Sequence, residues 1–154
     1  MKRILFVVMA AVLAAGCSGY RQVRVDDLAL GGFEFKGTSS AVIRIDAKVS
    51  NPSRHTLSLE SVDAVLVKEG KDFIAFSLDG CPSAAPCSDT TVVIPIRASV
   101  VDPIAIISSG LDFRSWDQDQ FLIEGKAVVK ADNGIKKTLR FRRMPLKEFL
   151  DLIK

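Results

Sequence analysis

Alternation of apolar and polar residues with a period of two dominates this chain of 154 residues. From position 41 to 49 every odd residue is apolar, whereas Arg44, Asp46 and Lys48 stand between them. Successive side chains of a strand point to opposite faces, so the pattern predicts a half-buried strand. Similar stretches predict further strands near 23–30, 57–68, 72–78, 91–101, 121–130 and 135–141.

Two short segments have helical spacing instead. Asp102 and Pro103 suit the cap and the first position of a helix that runs to about Leu111, with Ile104 and Ile107 on one face. Pro145 starts a C-terminal helix with an apolar stripe, namely Leu146, Phe149, Leu150 and Ile153. About seven strands with one crossover helix and this short helix predict a mainly all-β antiparallel β-sandwich.

The register of the last hairpin follows from which of its positions, odd or even, are apolar. Phe121 to Val129 and Ile135 to Phe141 both place apolar residues at odd positions. A two-residue Asn-Gly loop would pair odd with even positions and mix the faces. A three-residue loop with Gly134 in the left-handed region keeps one face apolar, so we predict that hairpin. A bulge is also predicted near Glu60.

The amino terminus has the pattern of an export signal. Lys2 and Arg3 precede twelve apolar residues, too few to span a bilayer comfortably, and the run ends in Leu-Ala-Ala-Gly before Cys17. It resembles the lipobox of bacterial lipoproteins, which implies cleavage before Cys17 and lipidation of that residue. We therefore expect a signal peptide (1–16), a lipidated tether (17–22) and a β-sandwich domain (23–154). Ser18 after the cysteine favours the outer membrane on the enterobacterial sorting rule, and an ordinary signal peptide is the alternative.

Cys81 and Cys87 remain as a pair if Cys17 is lipidated. An oxidising envelope compartment favours a structural disulfide between them. Because the ring that it closes is short, this disulfide would stabilise the fold by only about 2 kcal/mol. Free thiols are the first alternative. Metal or redox chemistry is the second, although the spacing is unlike common ligand pairs and the chain has only one histidine.

Several short motifs occur in the order seen in the late embryogenesis abundant type 2 family, also called the WHy domain. They are an Asn-Pro strand end at Asn51-Pro52, Leu57-Ser58-Leu59, Val92-Val93-Ile94-Pro95-Ile96, and Ile123-Glu124-Gly125 before a closing hairpin with Phe141. The chain resembles this family from about Val23 to Pro145. The resemblance implies an immunoglobulin-like or fibronectin type III-like β-sandwich, links to stress tolerance, and no catalytic residues. Asn51 and Pro52 are interpreted as structural.

Composition and motifs favour a protein that is not an enzyme. A net charge of +3 does not favour nucleic acid, and no phosphate loop, nucleophile elbow or metal-ligand spacing occurs. His55 is interpreted as a solvated turn residue, and we expect no cofactor and no metal. Acids at Asp26-Asp27 and at Asp117 and Asp119 lack the spacing of a calcium loop. Trp116 is either a binding anchor or packed against the domain end.

Basic residues concentrate on the last hairpin. The predicted register places five of them on one outward face: Lys126, Lys130, Lys136, Arg140 and Arg142. Such a face could meet anionic lipid or an acidic envelope protein. The alternative is a solvated face balanced by acids such as Glu124.

Two functions fit these features. The first is a membrane-anchored interaction or stress-protective module of the cell envelope. The second is a periplasmic or outer-membrane carrier of an apolar ligand such as an acyl chain, for which small inward residues would leave room: Ala41, Ala47, Gly125 and Ala127. The sequence does not give the oligomeric state.

Overall fold

The computed structural model describes residues 23–109 and 117–152. The strands are β1 (Arg24–Phe35), β2 (Ser40–Asn51), β3 (Leu57–Lys68), β4 (Lys71–Leu78), β5 (Ser83–Ala84), β6 (Ser88–Val100), β7 (Phe121–Ala131) and β8 (Lys136–Pro145). The helices are α1 (Pro103–Ser109), a 3-10 turn (Gln118–Gln120) and α2 (Leu146–Leu152). The predicted signal peptide, the Cys17 tether, Leu111, Trp116 and Ile153 lie outside the described residues.

All strands pair antiparallel, in the order β1-β2-β6-β4-β3-β7-β8, and β5 pairs with the start of β3. The predicted all-β, sandwich-like fold with a crossover helix and a short C-terminal helix is confirmed. Hydrogen bonding runs through one continuous sheet, because β4 pairs with β3 along one side and with the end of β6 along the other. The connection that holds α1 joins β6 to β7, which β4 and β3 separate in the strand order.

The strands give the domain two ends. The Asn51 end holds the start of β1 and the connections β2–β3, β4–β6 and β7–β8. The helix end holds the turns β1–β2 and β3–β4 together with α1 and α2. β1 therefore begins at the Asn51 end, beside Ser50, and finishes at the helix end, beside Ala41.

The main apolar core lies toward the helix end. It consists of Leu66, Phe73, Ile74, Phe121, Ile123 and Leu146, all less than 9% exposed. The rings of Phe73 and Phe121 meet edge to face with centroids 5.4 Å apart. Of the predicted apolar stripe of α2, Leu146 is buried and Phe149 packs against the core.

Helix α1 has the predicted cap but a different inner face. The Asp102 carboxylate accepts a hydrogen bond from Ala105 N at 3.0 Å. The predicted apolar face is wrong, because Ile104 and Ile107 are 79% and 69% exposed. Ala105 and Ile106 pack on the core instead. The described helix has only seven residues, too few for a stripe of spacing three and four to decide which side docks.

The predicted registers of β3 and of the last hairpin are correct. Gly134 has φ +89°, and Ala131 N donates to Ile135 O at 2.8 Å, which closes a three-residue turn. In β3 the register shifts between Leu59 and Ser61, so Glu60 is the bulged residue.

Candidate interaction surface

The β7–β8 hairpin brings four predicted basic residues together. Lys126 lies directly opposite Arg140, and Lys130 lies directly opposite Lys136. Lys126, Lys136 and Arg140 are exposed, and Lys130 is half-buried. We call these four residues the basic face. Like charges directly opposite each other in a sheet are destabilising, so packing does not explain this arrangement.

Arg142, the fifth predicted member, stands at an irregularity. Gly125 pairs with Phe141 but Ile123 pairs with Met144, so Arg142 and Arg143 both fall opposite Glu124. Arg143 has φ +48°, in the left-handed region. Arg142 is exposed, but it lies outside the regular cross-strand rows. Sequence parity could not detect this bulge, because the apolar pattern of β8 ends just before it.

Few acids neutralise the basic face. Lys136 Nζ lies 2.9 Å from Glu60 Oε1. Glu124, the expected balancing acid, has its Oε1 4.0 Å from Arg143 Nε, and no ion pair joins it to the basic face among the described residues. Among the described residues, Lys126, Lys130 and Arg140 have no carboxylate oxygen within 4.0 Å. Asp63 lies directly opposite Lys126 on β3, so among the described residues Lys130 and Arg140 have neither an ion pair nor a directly opposite acid and are available to an anionic partner.

Lys137 lies on the other side of the hairpin. It pairs with Val129 and shares the core-facing side with Ala127, which is 7% exposed. Its Nζ is inaccessible to solvent and has no hydrogen-bond partner among the described residues. Desolvation by burial lowers the pKa of this amine from its ordinary value of 10.5.

Asn51 is the polar centre of the other loops. It is 0% exposed, and its Nδ2 donates to the carbonyls of His55 at 2.9 Å and Ala85 at 3.0 Å. Its Oδ1 accepts from the hydroxyl of Ser53 at 2.6 Å. Pro52, exposed, follows where β2 ends, as the sequence predicts. The Asn-Pro spacing did not indicate that Asn51 joins two loops.

The loop with Cys81 and Cys87 is fixed through its backbone. Cys87 N donates to Ser53 O, and Leu59 N donates to Pro82 O, both at 2.9 Å. Both cysteines are exposed and carry free thiols in this structure. The disulfide therefore stays a prediction.

His55 links two turns at the Asn51 end. Its Nδ1 lies 2.7 Å from Asp132 Oδ1, while Asp132 Oδ2 accepts from Thr56 N at 3.1 Å. These hydrogen bonds, first that from Thr56 and then that with His55, lower the pKa of the Asp132 carboxyl below its ordinary 3.8. His55 is thus a turn residue, as predicted, with a carboxylate partner that the sequence did not indicate.

The other acids and small residues have local explanations. Asp117 caps the 3-10 turn by accepting from Asp119 N at 3.3 Å. Ala41, Ala47 and Ala127 are buried, and a Cβ on Gly125 would overlap the backbone of Asp63 and Ala64. Close packing of β7 on β3 accounts for that glycine.

An open groove of about 470 Å³ lies over β3, β4 and β7. Its lining includes Asp63, Val65, Ala75, Ser77 and Glu124, which alternate with the core residues Ala64 and Phe76 along β3 and β4. It lies mainly on the outward side of the sheet. In residues 23–109 and 117–152 no group of three or more His, Cys, Asp or Glu could hold a metal ion. No helix of these same segments is long and apolar enough to cross a membrane.

Comparisons with known proteins leave the family open. No protein-family model matches the chain, and no curated protein does. A crystal structure of a protein from Archaeoglobus fulgidus aligns with a TM-score of 0.48 and 12% identity, over 76% of this chain and 95% of that one. An X-ray structure of a Northeast Structural Genomics Consortium target aligns with a TM-score of 0.38 and 10% identity, over 78% and 81%. The resemblance to the late embryogenesis abundant type 2 family therefore stays a prediction.

Proposed function

We propose that this chain is a lipid-anchored, non-catalytic interaction module of the bacterial cell envelope that engages anionic surfaces through its basic face. The observation that carries the proposal is the set of like-charged pairs, Lys126 with Arg140 and Lys130 with Lys136, of which only Lys136 has a carboxylate oxygen within 4.0 Å among the described residues. Such pairs repel each other on an exposed face, so an anionic partner that binds there relieves the repulsion and stabilises the sheet. A stress-protective role in the envelope fits the same proposal.

The position of the proposed anchor agrees with this surface. Six positions separate Cys17 from Val23, a reach of at most about 21 Å. β1 begins at the Asn51 end, and the β7–β8 turn lies at that same end. Lys130 and Lys136 flank this turn, so they are the members of the basic face nearest to a membrane that holds the lipid. Attraction to anionic headgroups extends over about 8 Å at physiological salt, so it favours orientations in which the Asn51 end faces the membrane.

The polar residues with potential for catalysis are engaged in structural contacts. His55 bonds to Asp132, and Ser53 bonds to Asn51. These contacts support a non-catalytic role. The module would act by contact, either with phosphate-bearing lipid headgroups or with an acidic envelope protein.

Binding to vesicles tests the proposal. The chain from Ser18 onward, produced without lipid, is expected to bind vesicles that contain phosphatidylglycerol and not vesicles of phosphatidylcholine alone. Replacing Lys126 and Lys130 by Gln should lower the affinity by about tenfold or more, at about 1 kcal/mol per lost charge. Lys48→Gln with Lys71→Gln, which are also exposed, is the matched control. Equal binding by both double variants, or none by the parent, would contradict the role of the basic face.

One observation favours the carrier as a second candidate. The buried, unpartnered Nζ of Lys137 on the core-facing side is a suitable partner for the carboxylate of an acyl ligand. Native mass spectrometry of protein purified from its envelope tests this. A co-purifying fatty acid that is lost in Lys137→Met would favour the carrier, and a ligand-free spectrum would remove it.

A further inference from the structure

The two outermost strands of the sheet have backbone edges that no described strand covers. β1 and β8 stand at opposite ends of the strand order. They are of similar length, 12 and 10 residues. The unpaired N–H and C=O groups of such an edge are a template for a strand of another chain.

The charges of the two edges are opposite. β1 contains three acids and one base, whereas β8 contains five bases and no acid. Glu34 is already bonded to Lys36 at 2.6 Å and to Arg44 at 3.1 Å. Asp26 lies 3.9 Å from Arg24, and Asp27 has no ion pair within 4.0 Å among the described residues. Asp26 and Asp27 therefore supply the acidic part of the β1 edge.

Apolar side chains also stand uncovered along β1. Leu30, Phe33 and Phe35 are 57%, 52% and 75% exposed. They pair with Ile45, Ile43 and Ala41 of β2, so they lie on the core-facing side of the sheet. In β8, Leu139 and Phe141 are half-buried on that side, opposite Ala127 and Gly125.

From this double complementarity we infer that β1 of one copy pairs with β8 of a second copy. The pairing places Asp26 and Asp27 beside a strand of bases and extends the apolar side from Phe141 and Leu139 to Leu30 and Phe33. Each copy keeps one free β1 and one free β8, so the contact is head-to-tail and can continue from copy to copy. The inference goes beyond the proposed function, because it concerns contacts of the chain with itself.

The bulges keep the contact short. β1 is regular over Asp27–Leu30 and again over Gly32–Phe35, and β8 is regular from Lys136 to Phe141. A pairing of four to six residues is weak and reversible, so it needs a high local concentration. Copies anchored on one membrane would supply this concentration, a condition that rests on the proposed function. Sharing one orientation, they would pair in parallel, since β1 and β8 both run from the Asn51 end to the helix end.

Complementary charge reversals test the inference on the protein produced from its full sequence, by sedimentation velocity in a density-matched detergent. The first variant carries Asp26→Lys and Asp27→Lys, and the second carries Lys136→Glu and Arg140→Glu. The parent should associate as its concentration rises, less so at high salt. Each variant alone should remain a monomer, and an equimolar mixture should associate again because each basic edge meets an acidic one.

The controls separate edge pairing from other contacts. Asp72→Lys with Asp89→Lys, and Arg54→Glu with Lys71→Glu, make the same charge changes at exposed sites outside β1 and β8 and should associate like the parent. Hydrogen exchange should slow at the amides of β1 and β8 in the associated parent.

The inference is overturned if the parent is monomeric or if the mixture stays monomeric. It is also overturned if the second variant associates alone, as a β1–β1 contact would give. The vesicle experiment tests the proposed function separately from this association, because its variants at Lys126 and Lys130 change residues of β7 and neither edge strand.

Discussion

The side-chain amide of Asn51 donates to the backbone carbonyl of Ala85, 3.0 Å away and 34 positions further along the chain. The same amide nitrogen donates to His55 O, so one buried side chain joins the turn after β2 to the loop that holds both cysteines. A buried amide that loses its partners costs the full desolvation of the groups left behind. This residue is therefore the principal polar determinant of the Asn51 end.

We predict that Asn51→Ala lowers the free energy of unfolding by about 2–4 kcal/mol, because it removes three hydrogen bonds of a fully buried side chain, to the carbonyls of His55 and Ala85 and from the hydroxyl of Ser53. Pro52→Ala is the control, since Pro52 is exposed and should cost no more than about 1 kcal/mol. Urea unfolding of both variants measures the difference. Similar losses would mean that the Asn-Pro pair matters through the turn alone.

Gly125→Ala tests the close approach of β7 to β3. An added Cβ would overlap the backbone of Asp63 and Ala64, so the strands must separate, at a cost of about 1–3 kcal/mol. Gly32→Ala, also on a strand, would only reach ordinary contact at 3.6 Å from Arg44 and should change stability by less than about 0.5 kcal/mol. Thermal unfolding compares them. Retention of full stability in Gly125→Ala would show that β7 and β3 lie further apart than described.

Lys137→Met should stabilise the domain, on the order of 1 kcal/mol at neutral pH, because it removes an amine that is buried without a partner. Burial lowers the folded-state pKa below 10.5, so the unfolded chain binds more protons between these two values. The stability of the parent therefore rises with pH through that window, and its deficit relative to Lys137→Met shrinks. Denaturant unfolding at neutral and alkaline pH measures this, and a deficit that is absent or independent of pH contradicts the burial of Nζ.

Asp132→Asn should weaken the link between the two turns at the Asn51 end. Hydrogen bonds from Thr56 and His55 lower the folded-state pKa of Asp132 below 3.8, so the carboxylate stabilises the domain above that pH. Its contribution disappears as the pH falls through the lowered value. Unfolding of the parent and the variant should therefore differ at neutral pH and converge in strong acid. A constant difference would assign the effect to something other than this charge.

Local pattern could predict the strands, the bulge at Glu60 and the register of the last hairpin, because each depends on which face a residue occupies. Parity predicts that Lys126 and Arg140 share the outward face, since only a three-residue turn keeps the apolar face intact, and in the structure the two residues pair directly. The residues that set the apolar pattern and those that form the turn lie within a few positions of each other in the sequence.

Long-range neighbours could not be predicted in this way. The partner of Asn51 lies in a loop 34 positions away, and the second partner of β4 is β6 rather than a sequence neighbour. The docked side of α1 depends on the surface beneath it, which favours Ile106 over Ile104 and Ile107. Periodicity gives the face of a residue but not the element that covers it, so the continuous sheet and the Asn51 contacts required the structure.

The mass of the amino-terminal peptide, measured on protein purified from the membrane fraction of a bacterial host, tests the lipid-anchored module most directly. The account predicts a chain that begins at Cys17 and carries a diacylglyceryl group on its thiol and an acyl chain on its amino group. A chain that keeps residues 1–16, or that begins near Cys17 with an unmodified thiol, would contradict it.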